Sequence, residues 1–312
     1  MKTYQPEGWK IETVENRNMI SSPSSLYDAM HRAEILEARA TMCDFEHNLT
    51  VELGGIKGII PRDEGAIGIS EGKVKDIAII SRVGKPVSFI IEEIKPDKDG
   101  KLFAKLSRKK AQELCRKNYI SNLKCGDIID AKITHIESFG AFCDIGCGII
   151  ALMPIDSISI SRIAHPSDRF SAGDDIKAII RNIDDYGRIT LSQKELLGTW
   201  EENAQYYSQG QTVSGIVRSV EPYGIFVELA PNLAGLAEIK ENVKVGQMAS
   251  VYIKNLIPEK MKIKLIIIDS FDCKTETQNK YFIDSGHIDY WKYSPDSSSR
   301  IIDTDFTQYI SY

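Results

Sequence analysis

The chain has 312 residues, 42% of them hydrophobic and 27% charged, with a formal net charge of −5. That composition suits a folded water-soluble protein and argues against a disordered chain. No run approaches the ~18 apolar residues of a membrane span, and Met1-Lys2-Thr3-Tyr4-Gln5-Pro6 lacks the apolar core of a secretory signal, so a cytoplasmic protein with no membrane partner is expected.

Residues 1–33 read as an extension that ends in a helix, with Ser24-Ser25 preceding a helical stretch from Leu26 to Ala40. Ala40 to Leu53 reads as two strands, followed by the turn-rich Gly54-Gly55-Ile56-Lys57-Gly58. Further strands are expected at Gly84–Ile91 and Leu102–Ser107, which makes residues 34–110 a small β domain. Ser107 opens a helical run from Arg108 to Asn118, part of a linker drawn at 111–120.

Residues 121–192 carry the clearest signal. Ile129, Ala131 and Ile133 alternate with Asp130, Lys132 and Thr134, the period of a half-buried strand. The step Phe139-Gly140-Ala141-Phe142 follows. Ile149–Met153, Ile176–Ile183 and Arg188–Ser192 give three more strands, the last two separated by the turn Asp184-Asp185-Tyr186-Gly187. Ser192-Gln193-Lys194-Glu195 has capping-box form and predicts a linker helix over 193–207. Residues 208–268 then repeat the pattern. Shifting Cys125–Ile145 by 84 positions lays it on Gln209–Leu229 without a gap, with Tyr223-Gly224-Ile225-Phe226 on the Phe-Gly-Ala-Phe step. The upstream domain is a weaker copy, with His47-Asn48-Leu49-Thr50 where the rings should be. Residues 269–312 form a tail rich in Tyr281, Phe282, Tyr290, Trp291 and Tyr293, expected to pack on a barrel or a partner.

Five short strands in about 70 residues suit a small closed barrel of the OB type. The fold expected is therefore mainly β: three tandem five-stranded OB-type β-barrels joined by short α-helices. The ring pairs point to unpaired nucleic acid, whose bases stack on exposed aromatics. Asp144 and Glu228, each two residues past the second ring, are taken to mark that face as solvated, and the central glycine is taken to permit a bulge or a special backbone angle that brings both rings to one side. Bulk charge gives little help. Residues 121–195 hold 8 basic and 11 acidic side chains, and residues 208–268 hold 7 and 5. Single cations are the candidates for phosphate contacts instead: Lys132, Arg181 and Arg188 in the middle copy, and Arg218, Lys254 and Lys262 in the last.

Taken together, Phe139–Phe142, Arg162-Ile163-Ala164-His165-Pro166-Ser167-Asp168, Gly173-Asp174 and Gly187–Ser192 resemble the RNA-binding repeat of the bacterial ribosomal protein S1 family. The resemblance spans about Glu34 to Ile268 and looks like the shorter, Gram-positive form. It implies OB barrels, binding of single-stranded RNA, messenger RNA included, and association with the small ribosomal subunit, the protein being a monomer away from it. Carried over, the stacking rings fall on Phe139, Phe142, Tyr223 and Phe226, and the family's polar pair falls on Asp184 and Arg188. Arg162 and His165 join the expected RNA contacts. The sequence departs from the family at Pro154 and Glu238, where a histidine is common, and at Ile257 and Met261, which replace the polar pair in the last copy beside Lys262. The ringless first copy resembles leading repeats that dock on the ribosome.

No phosphate-cradling, nucleophile or zinc motif is present. The six cysteines form no CxxC pair and read as reduced, mostly buried thiols, and the five histidines sit in no catalytic pattern. No cofactor, metal or catalytic residue is expected, and the chain is read as a binding protein. Two other readings stay open: an RNA-binding regulator of RNA stability or stress response that never joins the ribosome, and a protein-docking module with buried rings.

Overall fold

The computed structural model describes residues 4–273 and 280–309. Contacts divide the chain into two compact units. One runs through Leu123 and takes in residues 130–132 and 144–150. The other holds residues 124–129 and 133–143 and the chain from Ala151 onward.

In the first unit, helices α1 (Val14–Met19) and α2 (Pro23–His31) precede a closed barrel. Its strands are β1 (Leu36–Cys43), β2 (Leu49–Leu53), β3 (Ile56–Ile60), β4 (Pro86–Pro96) and β5 (Leu102–Ser107). The expected helix from Leu26 to Ala40 is corrected here. Helix α2 ends at His31, Ala33 takes a left-handed φ of 47°, and the chain enters β1 at Leu36. The helix lasts only as long as its one-sided apolar face, Leu26 and Ala29, has a core to cover. Strand order is β1-β2-β3-β5-β4, with β3 and β5 parallel and β1 closing on β4. Leu49, Val51 and Leu53 alternate into the interior with Ile60, Phe89 and Leu106. Burying each such side chain contributes about 1.5–3 kcal/mol. A short helix, α3 (Ile77–Ile80), lies between β3 and β4, and α4 (Arg108–Asn118) leaves the barrel with Ser107 as its N-cap.

The middle barrel comprises β6 (Ile128–Glu137), β7 (Gly140–Asp144), β8 (Ile150–Pro154), β9 (Asp175–Ile183) and β10 (Ile189–Ser192), closed in the order β10-β8-β7-β6-β9. The expected helix over 193–207 is broken. A 3-10 turn, Lys194–Leu197, stops at Gly198 with φ 82°, and α5 (Trp200–Ala204) restarts under its own capping box, Thr199 with Glu202. The last barrel comprises β11 (Thr212–Glu221), β12 (Gly224–Ala230), β13 (Leu233–Ala237), β14 (Met248–Ile257) and β15 (Lys262–Phe271), in the order of the first.

The tail packs on the second unit. Strands β16 (Tyr290–Lys292) and β17 (Asp303–Asp305) form a hairpin that puts Trp291 and Tyr293 into the core of the last barrel. Phe306, 1% exposed, joins Cys125, Ile179 and Leu196. No helix among the described residues is long and apolar enough to cross a membrane.

Candidate nucleic-acid interface

The middle barrel presents three rings in a row. Phe139 sits in the turn between β6 and β7 and is 55% exposed. Phe142, half-buried on β7, meets it edge-on at 6.0 Å between centroids. His135 on β6 lies nearly parallel to Phe142 at 6.1 Å, with its Nε2 2.6 Å from Glu137 Oε1. His135 was not singled out in the sequence, although its repeat equivalent gives the register: Ser219 pairs across strands with Phe226.

The reason for the central glycine is corrected. A Cβ on Gly140 would lie 2.5 Å from the carbonyl oxygen of Met153, and one on Gly224 would lie 2.7 Å from that of Ala237. Glycine permits the close approach of the next strand at both positions, Gly224 in addition takes a positive φ of 154°, and Phe139 reaches the shared face because it stands in the turn.

The reasoning from the acids is corrected as well. Asp144 and Glu228 are 1% and 4% exposed, so they do not mark a solvated face. Asp144, in the first unit, accepts the N–H groups of Glu7, Gly146 and Gly148. Burial, with the Glu7 carboxylate beside it, pushes the Asp144 carboxyl up to about 7. Glu228 is held by two arginines, Arg169 and Arg218.

Among the expected phosphate contacts, Arg218 is overturned. Its side chain is 9% exposed and donates to Glu228 at 3.0 and 3.2 Å, so its charge is spent inside the protein. Lys132 belongs to the first unit, its Cε 3.9 Å from where a Gly8 Cβ would stand. Arg181 donates to Ser157 and lies 3.7 Å from Asp156. The His165 ring accepts the Ser167 N–H at 3.2 Å and caps the short turn Pro166–Asp168, while Arg162 is exposed.

Asp184 and Arg188 are brought together. Asp184 accepts the backbone N–H of Arg188 at 2.8 Å and its Nε at 2.7 Å, and these bonds hold its carboxyl below the usual range. The Arg188 guanidinium stands 5.4 Å over the ring of Tyr186, itself 80% exposed. Tyr186 was read only as a turn residue. A large ring among Asp, Asp and Gly was the available signal.

In the last barrel a groove of about 610 Å³ brings together Tyr223, Phe226 and Leu236 with Lys254, Lys262 and Lys264. Tyr223, 68% exposed, meets Phe226 edge-on at 6.2 Å. The register runs Phe226–Leu236–Lys264 across three strands, so ring, aliphatic and cation lie side by side. Lys254 and Lys262, candidates from the sequence, line this groove together with Lys264. Lys254 lies 3.6 Å from Glu238.

The first barrel differs at the same positions. Thr50 pairs with Ile59, and Ile59 with Lys105, in the register of Phe226, Leu236 and Lys264. No ring stands there. Lys105 is tied to Glu92 at 2.9 Å, and Asp76 takes both His47 and Arg62. No group of three or more His, Cys, Asp or Glu among the described residues could hold a metal ion.

A family model described as S1 RNA binding domain matches residues 122–194. Over 260 residues the chain is 29% identical to the small ribosomal subunit protein bS1 of Staphylococcus aureus strain COL, covering 79% of this chain and 64% of that protein. The protein of the same name from Staphylococcus haemolyticus is 27% identical over 256 residues, 78% of this chain and 63% of the relative. That from Leuconostoc lactis is 28% identical over 232 residues, 70% of this chain and 52% of the relative. The chain thus spans somewhat less than two thirds of the length of these relatives.

Proposed function

We propose that this chain, whose residues 122–194 match a family model described as S1 RNA binding domain, holds single-stranded RNA on the ring faces of its middle and last barrels. The observation that carries the reading is the pair of one exposed and one half-buried ring repeated at a spacing of 84 residues, Phe139 with Phe142 and Tyr223 with Phe226. Each π-face can take an unpaired base at about 1–3 kcal/mol. Asp184 and Arg188 hold Tyr186 and a cation at one turn of the middle barrel, and Lys254, Lys262 and Lys264 line the groove of the last. Lys132, Arg162, His165 and Arg218 are left out of this face or assigned no direct part in it.

In this reading the RNA is messenger RNA, presented to the small ribosomal subunit during initiation in the cytoplasm; the relatives named as small ribosomal subunit proteins support the association with that subunit. The protein acts by binding and not as an enzyme. The first barrel lacks the ring pair at the repeat positions, with Thr50 there and Lys105 ion-paired, and this supports a docking role for that barrel on the ribosome. Deleting it is expected to abolish co-sedimentation with small subunits, and retained co-sedimentation would remove that role.

Fluorescence anisotropy with a labelled RNA of about 12 nucleotides tests the stacking. Phe139→Ala/Phe142→Ala is expected to lose about 2 kcal/mol, or roughly 30-fold in affinity. Unchanged affinity in the folded double variant would refute the reading. RNA binding without ribosome co-sedimentation would favour a regulator acting off the ribosome.

A further inference from the structure

Within the second unit, the middle and last barrels meet through a buried ion network that RNA stacking does not require. Arg169 follows the Pro166–Asp168 turn, and its side chain is 0% exposed. It donates to Glu228 on β12 through both terminal nitrogens, Nη1 to Oε1 at 2.7 Å, and to Ser159 at 3.3 Å. Arg218 on β11 takes the other edge of the same carboxylate and lies 3.9 Å from Asp168.

A second anchor stands beside it. The Asn232 side chain, on the loop before β13, accepts the Ile160 N–H at 2.9 Å and donates to the carbonyls of Lys194 at 2.7 Å and Gly198 at 2.8 Å. The Ser161 N–H donates to the Pro231 carbonyl at 3.1 Å. The tail closes over the joint. Tyr293 donates its hydroxyl to the Asn232 carbonyl, and Thr304 donates to Glu195 at 2.9 Å. Tyr281 accepts from the Lys177 N–H and from Gln193. A buried carboxylate shared by two guanidiniums adds little attraction beyond its own desolvation cost, but it tolerates only one geometry. Beads on a flexible linker would have no use for it.

We infer that the middle and last barrels grip one RNA strand as a fixed pair, set by the Arg169–Glu228–Arg218 joint and its tail strap, so that the ligand is unpaired RNA long enough to reach both ring platforms. The inference rests on the stacking proposed above. A strand held on one platform meets the second at an effective concentration set by the joint, without first ordering a linker.

The test uses the full chain with unstructured RNAs of about 24 and about 8 nucleotides, one long enough for two platforms and one filling a single platform. The wild type is expected to bind the longer strand at least about tenfold more tightly than the shorter, beyond the statistical factor. Arg169→Met/Arg218→Met/Glu228→Leu, which removes the whole buried network while keeping its bulk and leaves no guanidinium without its carboxylate, is expected to lose that advantage and keep its affinity for the short strand. Tyr223→Ala/Phe226→Ala is expected to lose it too, with the joint intact. Independently of any variant, NMR relaxation of the wild type is expected to give residues 151–192 and 212–271 one rotational correlation time. Separate correlation times, or a long-strand advantage that survives loss of the network, would overturn the fixed pair and leave stacking in place. Failure of both RNAs to bind would remove stacking and this inference together.

Discussion

Asp144 and Glu228 occupy one position in the repeat, two residues past the second ring, and Glu52 has the same place in the first copy. Glu52 is exposed, whereas the other two are buried among donors from outside their own hairpins. The position is a docking point. For Asp144 this has a measurable consequence. A carboxyl raised from near ~4 to about 7 contributes stability below its unfolded value and loses it as pH rises through its folded one. Burial opposes the charge of its neighbour Glu7, but Arg108 and Arg82 hold that carboxyl low, so Glu7 titrates only at more acid pH. The urea midpoint of the wild type is expected to fall between pH 5 and pH 8, and Asp144→Asn is expected to flatten the slope. An unchanged slope in the variant would assign it to other groups, such as Glu37, which burial also raises. None of this was legible in the sequence. An acid alternating with a ring reads as solvated, because alternation reports which face a residue takes and not what later covers that face. Arg169 and Glu228 are 59 residues apart, and no local period connects them.

At the scale of elements, strands were easier to read than helices. The period of two survives in β6 and β11 because one face must be dry, and the 84-residue shift carries the first three strands of the middle barrel onto those of the last. Helices here are short connectors whose ends depend on single residues. Gly198 ends one early, and β1 begins where a longer helix was expected. The tail had rings but no period, and its place is set by contacts across the second unit. Phe306→Ala is expected to cost that unit about 3–5 kcal/mol, read from its denaturation midpoint. A loss under 1 kcal/mol would mean the tail only rests on the barrel. Gly140→Ala, by contrast, should disturb the ring face itself, since its Cβ meets a backbone oxygen. It is expected to weaken RNA binding more than it weakens folding, which the two titrations on one sample would reveal.

For the molecule as a whole, a net charge of −5 sets the character of the interaction. With about four cations on the ring faces, Arg188, Lys254, Lys262 and Lys264, the slope of log affinity against log salt is expected near −3, shallow for an RNA binder. A slope of about −7 or steeper would mean that phosphate contacts on other surfaces carry the binding. The candidate site was partly legible in the sequence. Both ring pairs, the Asp184–Arg188 pair and two groove lysines came from spacing and resemblance, while Arg218 misled because an arginine on a strand looks the same whether its partner is a phosphate or a carboxylate inside the protein.

One repeat position holds the rings and another, two residues on, holds the neighbouring segment. The two duties can therefore drift apart under mutation. The first copy has His47 and Thr50 at the ring positions and still closes into a barrel. A duplicated domain of this design can be retired from one job and hired for another without dismantling the row it stands in.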